Sequence, residues 1–252
     1  MNELNNKSAI ITGASRGIGA AIAKEFARNG ISVILAARSA EELENVEAEI
    51  REMGGKVEKI ICDVSRFDDV SAAVELCQSV YGKVNILVNN AGVIDPIARI
   101  TDSDPKLWGQ VVDINYKGVY YGLRAAIPAM LKSGGGTIIN ISSGAATSAL
   151  EGWSHYCSTK AAVLSLTMCA DKEYGDEGIN AIGLSPGTVA TDMQVSIKKS
   201  GINPVSQLDP NIHISPDIVA RAATWLCTTA AKSFSGTDFS LKNEDHRKLI
   251  EY

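Results

Sequence analysis

The first thirty residues constrain this chain most. Lys7-Ser8-Ala9-Ile10-Ile11-Thr12 is a short apolar run, and it ends in Gly13-Ala14-Ser15-Arg16-Gly17-Ile18-Gly19. Ala20-Ala21-Ile22-Ala23-Lys24-Glu25-Phe26-Ala27 then carries helical periodicity and is closed by Asn29-Gly30. The reading is strand, glycine turn, helix. Glycine takes backbone angles that other residues avoid, and its bare Cα lets a phosphate approach the main chain. The helix that follows offers free N–H groups and the positive end of its dipole. The spacing of Gly13, Gly17 and Gly19 is not the usual GxGxxG, so the turn alone does not establish a ligand.

The same alternation continues. Strands are expected at 31–36, 57–62, 84–88, 137–141 and 180–184, with a possible seventh at 237–241. Ser39-Ala40-Glu41-Glu42 reads as a capping box opening a charged helix to about Met53. Ser65-Arg66-Phe67-Asp68 reads as the cap of a helix to about Tyr81. Asp104-Pro105 opens a long helix through Asn115 towards Met130, and Ser215-Pro216-Asp217 caps another to about Cys227. No element is clear between Pro186 and His213, and the charged tail from Lys242 is expected to be exposed. The pattern predicts an α/β, Rossmann-type, doubly wound and mostly parallel sheet with helices on both faces, a three-layer sandwich. It forms one domain over 1–252, because no composition shift marks a boundary.

Composition excludes several classes. A net charge of −5 with scattered Lys and Arg argues against nucleic-acid binding, and Lys198-Lys199 is too short for a basic patch. No apolar run approaches the roughly 20 residues of a membrane span, and the start, Met1 to Lys7, lacks the apolar core of a signal peptide. The five cysteines form no CxxC and read as reduced thiols, which implies a cytoplasmic protein. His155, His213 and His246 lie too far apart for ligand spacing, so no metal site is expected.

Tyr156-Cys157-Ser158-Thr159-Lys160 opens an apolar helical segment. Residues four apart share a helix face, so Tyr156 and Lys160 point the same way. A phenol has a pKa near ~10 and needs roughly 4 kcal/mol to drop by three units. A cation at ~5 Å supplies roughly 3 kcal/mol at an effective dielectric of about 20. Alone, such a pair is as easily a solvated helix face. His155 is a poor candidate acid, because adjacent helical residues do not share a face.

Taken together, Thr12-Gly13-Ala14-Ser15-Arg16-Gly17-Ile18-Gly19, Asn89-Asn90-Ala91-Gly92, Asn115, Ser143, Tyr156-xxx-Lys160 and Pro186-Gly187, in that order, resemble the short-chain dehydrogenase/reductase family. The resemblance runs to about Thr237 and implies the following roles. Tyr156 exchanges the proton with the substrate oxygen, and Lys160 lowers its pKa and contacts the nicotinamide ribose. Ser143 hydrogen-bonds the substrate oxygen; Ser142 is the adjacent alternative, since strand alternation lets only one face the site. Asn115 holds a water that links Lys160 to solvent. Gly13, Ser15, Arg16, Gly17, Ile18 and Gly19 form the phosphate turn. Asn90, Ala91 and Gly92 support the sheet beside the cofactor, and Asp63-Val64 border the adenine. Thr188 and Thr191, after Pro186-Gly187, meet the carboxamide and phosphates. The chain departs from the family at Gly236-Thr237-Asp238-Phe239-Ser240-Leu241-Lys242, where an Asp-Gly-Gly turn is usual. That departure puts the last strand and its subunit contact in question.

Ala37 stands where NAD-using members carry Asp, and Arg38 and Ser39 follow it. Arg16 and Arg38 are expected to converge on a 2′-phosphate, because guanidinium meets phosphate oxygens in pairs. Glu42 is assigned to capping. The expected function is therefore NADP(H)-dependent reduction of an aldehyde or ketone, or the reverse. The alternatives are an NAD-dependent alcohol dehydrogenase and a non-catalytic dinucleotide sensor. Ile94-Asp95-Pro96, Ala145, Trp153 and the stretch from Met193 to His213, within a substrate loop at about 186–215, are expected to line a pocket for a small to medium neutral carbonyl. Val119, Leu123 and Ile127 suggest helix pairing across a two-fold axis, hence a homotetramer, or else a dimer.

Overall fold

The computed structural model describes residues 3–252. Seven strands form one parallel sheet: β1 (Ser8–Thr12), β2 (Ser32–Ala37), β3 (Val57–Ile61), β4 (Ile86–Asn89), β5 (Gly136–Ile141), β6 (Ile179–Ser185) and β7 (Asp238–Ser240). Their order is β3-β2-β1-β4-β5-β6-β7, so the winding reverses between β1 and β4. A crevice opens at such a reversal, outside the carboxyl ends of the strands.

The strands are apolar on both sides because both sides are covered. Ala9, Ile11, Val33, Leu35, Ile139 and Ile182 pack beneath α1 (Gly17–Arg28), α2 (Ala40–Glu52) and α8 (Pro216–Leu226). Ile10, Ile34, Leu87, Ile138 and Ala181 pack against α3 (Phe67–Tyr81), α5 (Gly118–Lys132) and α6 (Ser154–Tyr174). The doubly wound α/β reading is the observed fold.

Four local expectations change. The helix through Asn115 is not uniform. α4 (Pro105–Val112) passes through a π-helical turn, Asp113–Lys117, before α5 begins. Segments of this kind recur where a helix must present a functional group. The stretch after Pro186 contains α7 (Asp192–Ser200) and two short 3₁₀ turns. Ser65 does not cap α3; its N–H and hydroxyl both donate to Asp63, and Arg66 occupies the cap position without a side-chain bond. The tail is mostly exposed, as expected, but it carries structure. Asn243 caps α9 (Glu244–Leu249), and His246 stacks on Phe239 while its Nδ1 accepts the Ser240 N–H. β7 forms in spite of the missing Asp-Gly-Gly turn, because Phe239 is fully buried against the α1 and α8 side. Val119, Leu123 and Ile127 of α5, read as partner-facing, are buried in the chain's own core.

Candidate active site

The glycine turn is built by close approach. Gly13 (φ +64) lies so near β4 that a Cβ there would stand 2.9 Å from the Ala91 Cα and the Asn90 Nδ2. The Asn90 amide donates to the Thr12 and Gly13 carbonyls at 2.9 and 3.1 Å. Thr12 Oγ1 in turn accepts the N–H groups of Asn90 and Ala91. Thr12 thus ties the ends of β1 and β4 together, a role the sequence reading did not give it. Gly17 (φ +55) has the Thr191 methyl as its neighbour, so the turn and the segment after Pro186-Gly187 meet. No side chain caps the first turn of α1, and no acidic residue stands in it. Its N–H groups and positive dipole end are available to an anion, which fits a dinucleotide pyrophosphate.

Around the turn the charges differ from the expectation. Arg16 is exposed and paired with Glu42 (3.4 Å) and Asp192 (3.7 Å). The Glu42 carboxylate also accepts from the Ser15 hydroxyl at 2.8 Å. Only the backbone half of the capping box forms: Ser39 accepts the Glu42 N–H, while the carboxylate turns to the glycine turn. Ser39 is therefore occupied as a cap. Arg38 is exposed, and no carboxylate lies within 4 Å of it among the described residues. Asp63 sits below the usual carboxylate range. Burial opposes this, but hydrogen bonds from Ser65 and the charges of Arg38 and Arg66 outweigh it. Val64 packs against Gly118, where no larger residue fits. Thr191 precedes α7, and Thr188 holds Ile214 through its carbonyl.

Asn115 is 1% exposed and spends its whole amide on one residue. Its Oδ1 accepts the Val93 N–H and its Nδ2 donates to the Val93 carbonyl, both at 2.8 Å. The side chain clamps the loop after β4. Gly92 sits against this amide.

Tyr156 and Lys160 lie one turn apart on α6, both buried. The Lys160 Nζ stands 5.5 Å from the Tyr156 ring centroid and donates to the Ile141 carbonyl at 2.7 Å. The expected lowering of the Tyr156 pKa is absent in this arrangement. Burial pushes the phenol up to about 12, with only the Ser143 hydroxyl working against it. Burial likewise lowers Lys160 to about 8, opposed by the carboxylate of Asp238. The alternation at Ser142-Ser143 resolves in favour of Ser143, which lies beside Tyr156. Ser142 is buried on the sheet side. His155 is fully buried and bonds the Ile94 carbonyl through Nε2, so it is a strut for the loop.

Above Tyr156, the side chains of Ile94, Ala145, Trp153 and Ile197 form one apolar cluster, with Ile97, Leu150, Met193 and Val205 against it. Trp153 meets Tyr156 edge-on at 5.6 Å. Ile94, Ala145 and Trp153 were expected there; Ile97 and Leu150 were not. Among the described residues there is no group of three or more metal-ligating side chains, and no helix is long and apolar enough to cross a membrane.

These features agree with what the chain matches. A family model described as short chain dehydrogenase matches residues 7–201. Cyclohexanol dehydrogenase of Acinetobacter sp. strain SE19 is 31% identical, over 94% of this chain and 94% of that protein. The 2,5-dichloro-2,5-cyclohexadiene-1,4-diol dehydrogenase of Sphingobium indicum is 33% identical, over 95% of this chain and 96% of that one. A short-chain type dehydrogenase/reductase from Mycobacterium marinum superposes with a TM-score of 0.87 at 31% identity, covering 94% of each chain. The chain belongs to the short-chain dehydrogenase/reductase family, and it is an oxidoreductase of alcohol or carbonyl groups with a Rossmann-type nucleotide-binding fold.

Proposed function

We propose that this enzyme uses NADP(H) to reduce an aldehyde or ketone to the alcohol, and runs the reverse reaction under oxidising conditions. The supporting observation is the placement of the Ser143 hydroxyl beside the Tyr156 phenol, under an apolar cluster and next to Lys160. A nicotinamide, when bound, supplies the hydride, which no protein side chain can do. Tyr156 gives its proton to the carbonyl oxygen, and Ser143 donates a hydrogen bond to the same oxygen as charge develops. Burial keeps the phenol protonated through neutral pH, which is the form that reduction requires. Lys160 places its charge behind Tyr156. The apolar cluster favours a neutral carbonyl compound, and the segment at 186–215 closes over it. Relatives that act on ring alcohols make cyclic ketones and alcohols the first class to try.

Arg38 supports NADP(H). It forms no ion pair within 4 Å among the described residues, although its charge reaches Asp63, and it follows the apolar Ala37 at the end of β2. Glu42 favours a second reading. A carboxylate anchored at Ser15 can accept ribose hydroxyls, which is the hallmark of NAD use. Initial rates with NADPH and NADH on a panel of cyclic ketones decide between them. Arg38→Ala is expected to raise the Michaelis constant for NADPH about 10- to 100-fold, as for a lost charge-assisted bond, and to leave NADH nearly unchanged. Equal or better use of NADH by the unmodified enzyme overturns the NADP(H) reading. A homotetramer, with a dimer as the alternative, remains our reading of the assembly. Tyr120 on α5 and Met168 on α6 are exposed and apolar, and they replace the buried residues as its basis. Light scattering that shows only monomer at micromolar concentration refutes it.

A further inference from the structure

Beneath the catalytic lysine lies a carboxylate that the reaction described above does not use. Asn140 of β5, Gly183 of β6 and Asp238 of β7 occupy one row across the sheet. Their common face is the one that α6 covers, where Asn140 bonds Thr167. Gly183 leaves a gap in that row. A Cβ there would stand 2.5 Å from the Asp238 Oδ1, so the carboxylate leans over the glycine towards β5. The Asp238 Oδ1 and the Ser142 hydroxyl, just past β5, are both buried with no hydrogen bond at ordinary distance, yet the hydroxyl lies near enough to favour the charged Asp238 carboxylate. Two buried oxygens held only loosely by each other are costly and call for a reason.

We infer that Asp238 is a positioning residue for Lys160: its carboxylate, admitted by Gly183 and flanked by Ser142, is the buried counter-charge that keeps the Lys160 ammonium charged and in place. The inference rests on the proposed roles of Tyr156 and Lys160. Lys160 is 5% exposed, and its one protein acceptor is the neutral Ile141 carbonyl. Burying an ammonium on such terms favours its neutral form. The other groups around it do not oppose this. Tyr156 is neutral. Asp113 and Lys117 of the π-helical turn pair with each other at 2.7 Å. Asp171, further along α6, is held by Ser235. Lys242 lies over Gly144 and Gly187 and adds positive charge. Among the described residues, Asp238 is the carboxylate whose charge reaches Lys160; burial moves each group towards its neutral form, and their mutual attraction opposes that. Lys160 is drawn to about 8, and Asp238 is raised to about 6.

The test is the pH profile of kcat/KM for carbonyl reduction in the full-length enzyme with its preferred nicotinamide cofactor. Asp238→Asn keeps the shape and removes the charge. Gly183→Ala keeps the charge and displaces the carboxylate. Each is expected to move the alkaline limb to lower pH, by about one unit, the low end of what an opposite charge at short range produces. The melting temperature and circular dichroism verify folding. An unshifted limb in folded Asp238→Asn overturns the inference, even if the rate falls at every pH; should that variant not fold, Gly183→Ala decides by the same criterion. Tyr156→Phe is measured in parallel. If it stays active, the assignment of Tyr156 fails; if it is inactive while the limb stays put in Asp238→Asn, only the role of Asp238 fails.

Discussion

Gly19→Ala is the sharpest structural test of the phosphate turn. Gly19 lies in the first turn of α1, and a Cβ there would stand 2.2 Å from the Gly13 carbonyl oxygen and 2.6 Å from the Asn90 Nδ2. Neither neighbour can yield cheaply. The Gly13 oxygen belongs to backbone at positive φ, and the Asn90 amide is already committed to the Thr12 and Gly13 carbonyls. Overpacking of this kind costs about 1–3 kcal/mol. Loss of the two Asn90 bonds adds about 2 kcal/mol at roughly 1 kcal/mol each. The better helix propensity of alanine returns about 1 kcal/mol. The net loss is about 2–4 kcal/mol, which leaves a chain of typical stability folded. It corresponds to a drop of about 4–16 °C in Tm for a chain of this size. Urea denaturation measures the stability, and nicotinamide fluorescence on titration measures cofactor affinity, which should fall together with it. Gly109→Ala is the control: it lies in α4 with nothing within 4 Å of the added Cβ, so it should be neutral or slightly stabilising. A Gly19→Ala protein within about 0.5 kcal/mol of the parent, the ordinary range of a surface substitution, and with unchanged cofactor affinity, refutes the close-packed turn.

Three further outcomes are expected. Tyr156→Phe should lower turnover by orders of magnitude with cofactor binding retained, and Lys160→Ala should slow turnover and weaken cofactor binding as well; steady-state rates and fluorescence titration check both. Asn115→Ala removes both bonds to the Val93 backbone and should cost about 2 kcal/mol or more in urea denaturation, with kcat falling as the loop after β4 loosens. Asp238 is raised by burial to about 6, so the folded chain holds that proton more tightly than the unfolded chain. Its contribution favours the folded state below pH ~4 and is lost as pH rises through about 6. Asp238→Asn should therefore flatten that part of a Tm series measured from pH 4 to 7, and an unchanged series counts against the burial of this carboxylate.

The sheet was legible because a doubly wound fold writes itself into the chain twice. Short runs such as Ile31 to Ala36 are apolar on both faces, and helices such as α1 put Ile22 and Phe26 on one side. Caps were legible where the cap is a side chain on its own backbone, as at Ser39, Asp104 and Ser215. They failed at Ser65, where a nearby Asp63 competes for the same hydroxyl. α7 was missed because its sequence, Asp192–Ser200, buries a single residue, Ile197, and shows no stripe. The apolar residues of α5 were seen, but not their direction: periodicity tells that a face is buried and does not tell whether by the chain or by a partner.

Within the site, what was legible is what the residue type itself dictates, and what was missed is what a neighbour dictates. Glycines in the turn, the tyrosine and the lysine announce themselves by chemistry and spacing. Glu42 did not, because the same Ser-x-x-Glu pattern that signals a cap is satisfied here by its backbone half, which frees the carboxylate for Ser15 and Arg16. Asn115 was found, but its partner is the backbone of Val93, and a backbone partner leaves no trace in sequence. The phenol shows the same division in energy. Its expected lowering was worked from one charge at ~5 Å, which is close to the observed 5.5 Å. The structure adds what spacing does not carry: both groups are buried, and loss of water moves Tyr156 up and Lys160 down, each towards its neutral form. At about 8 the Lys160 ammonium still holds its charge at neutral pH, but with little margin. Whatever keeps Lys160 protonated therefore decides whether the expected acid–base device operates, and the carboxylate across Gly183 is the group in the fold placed to do so.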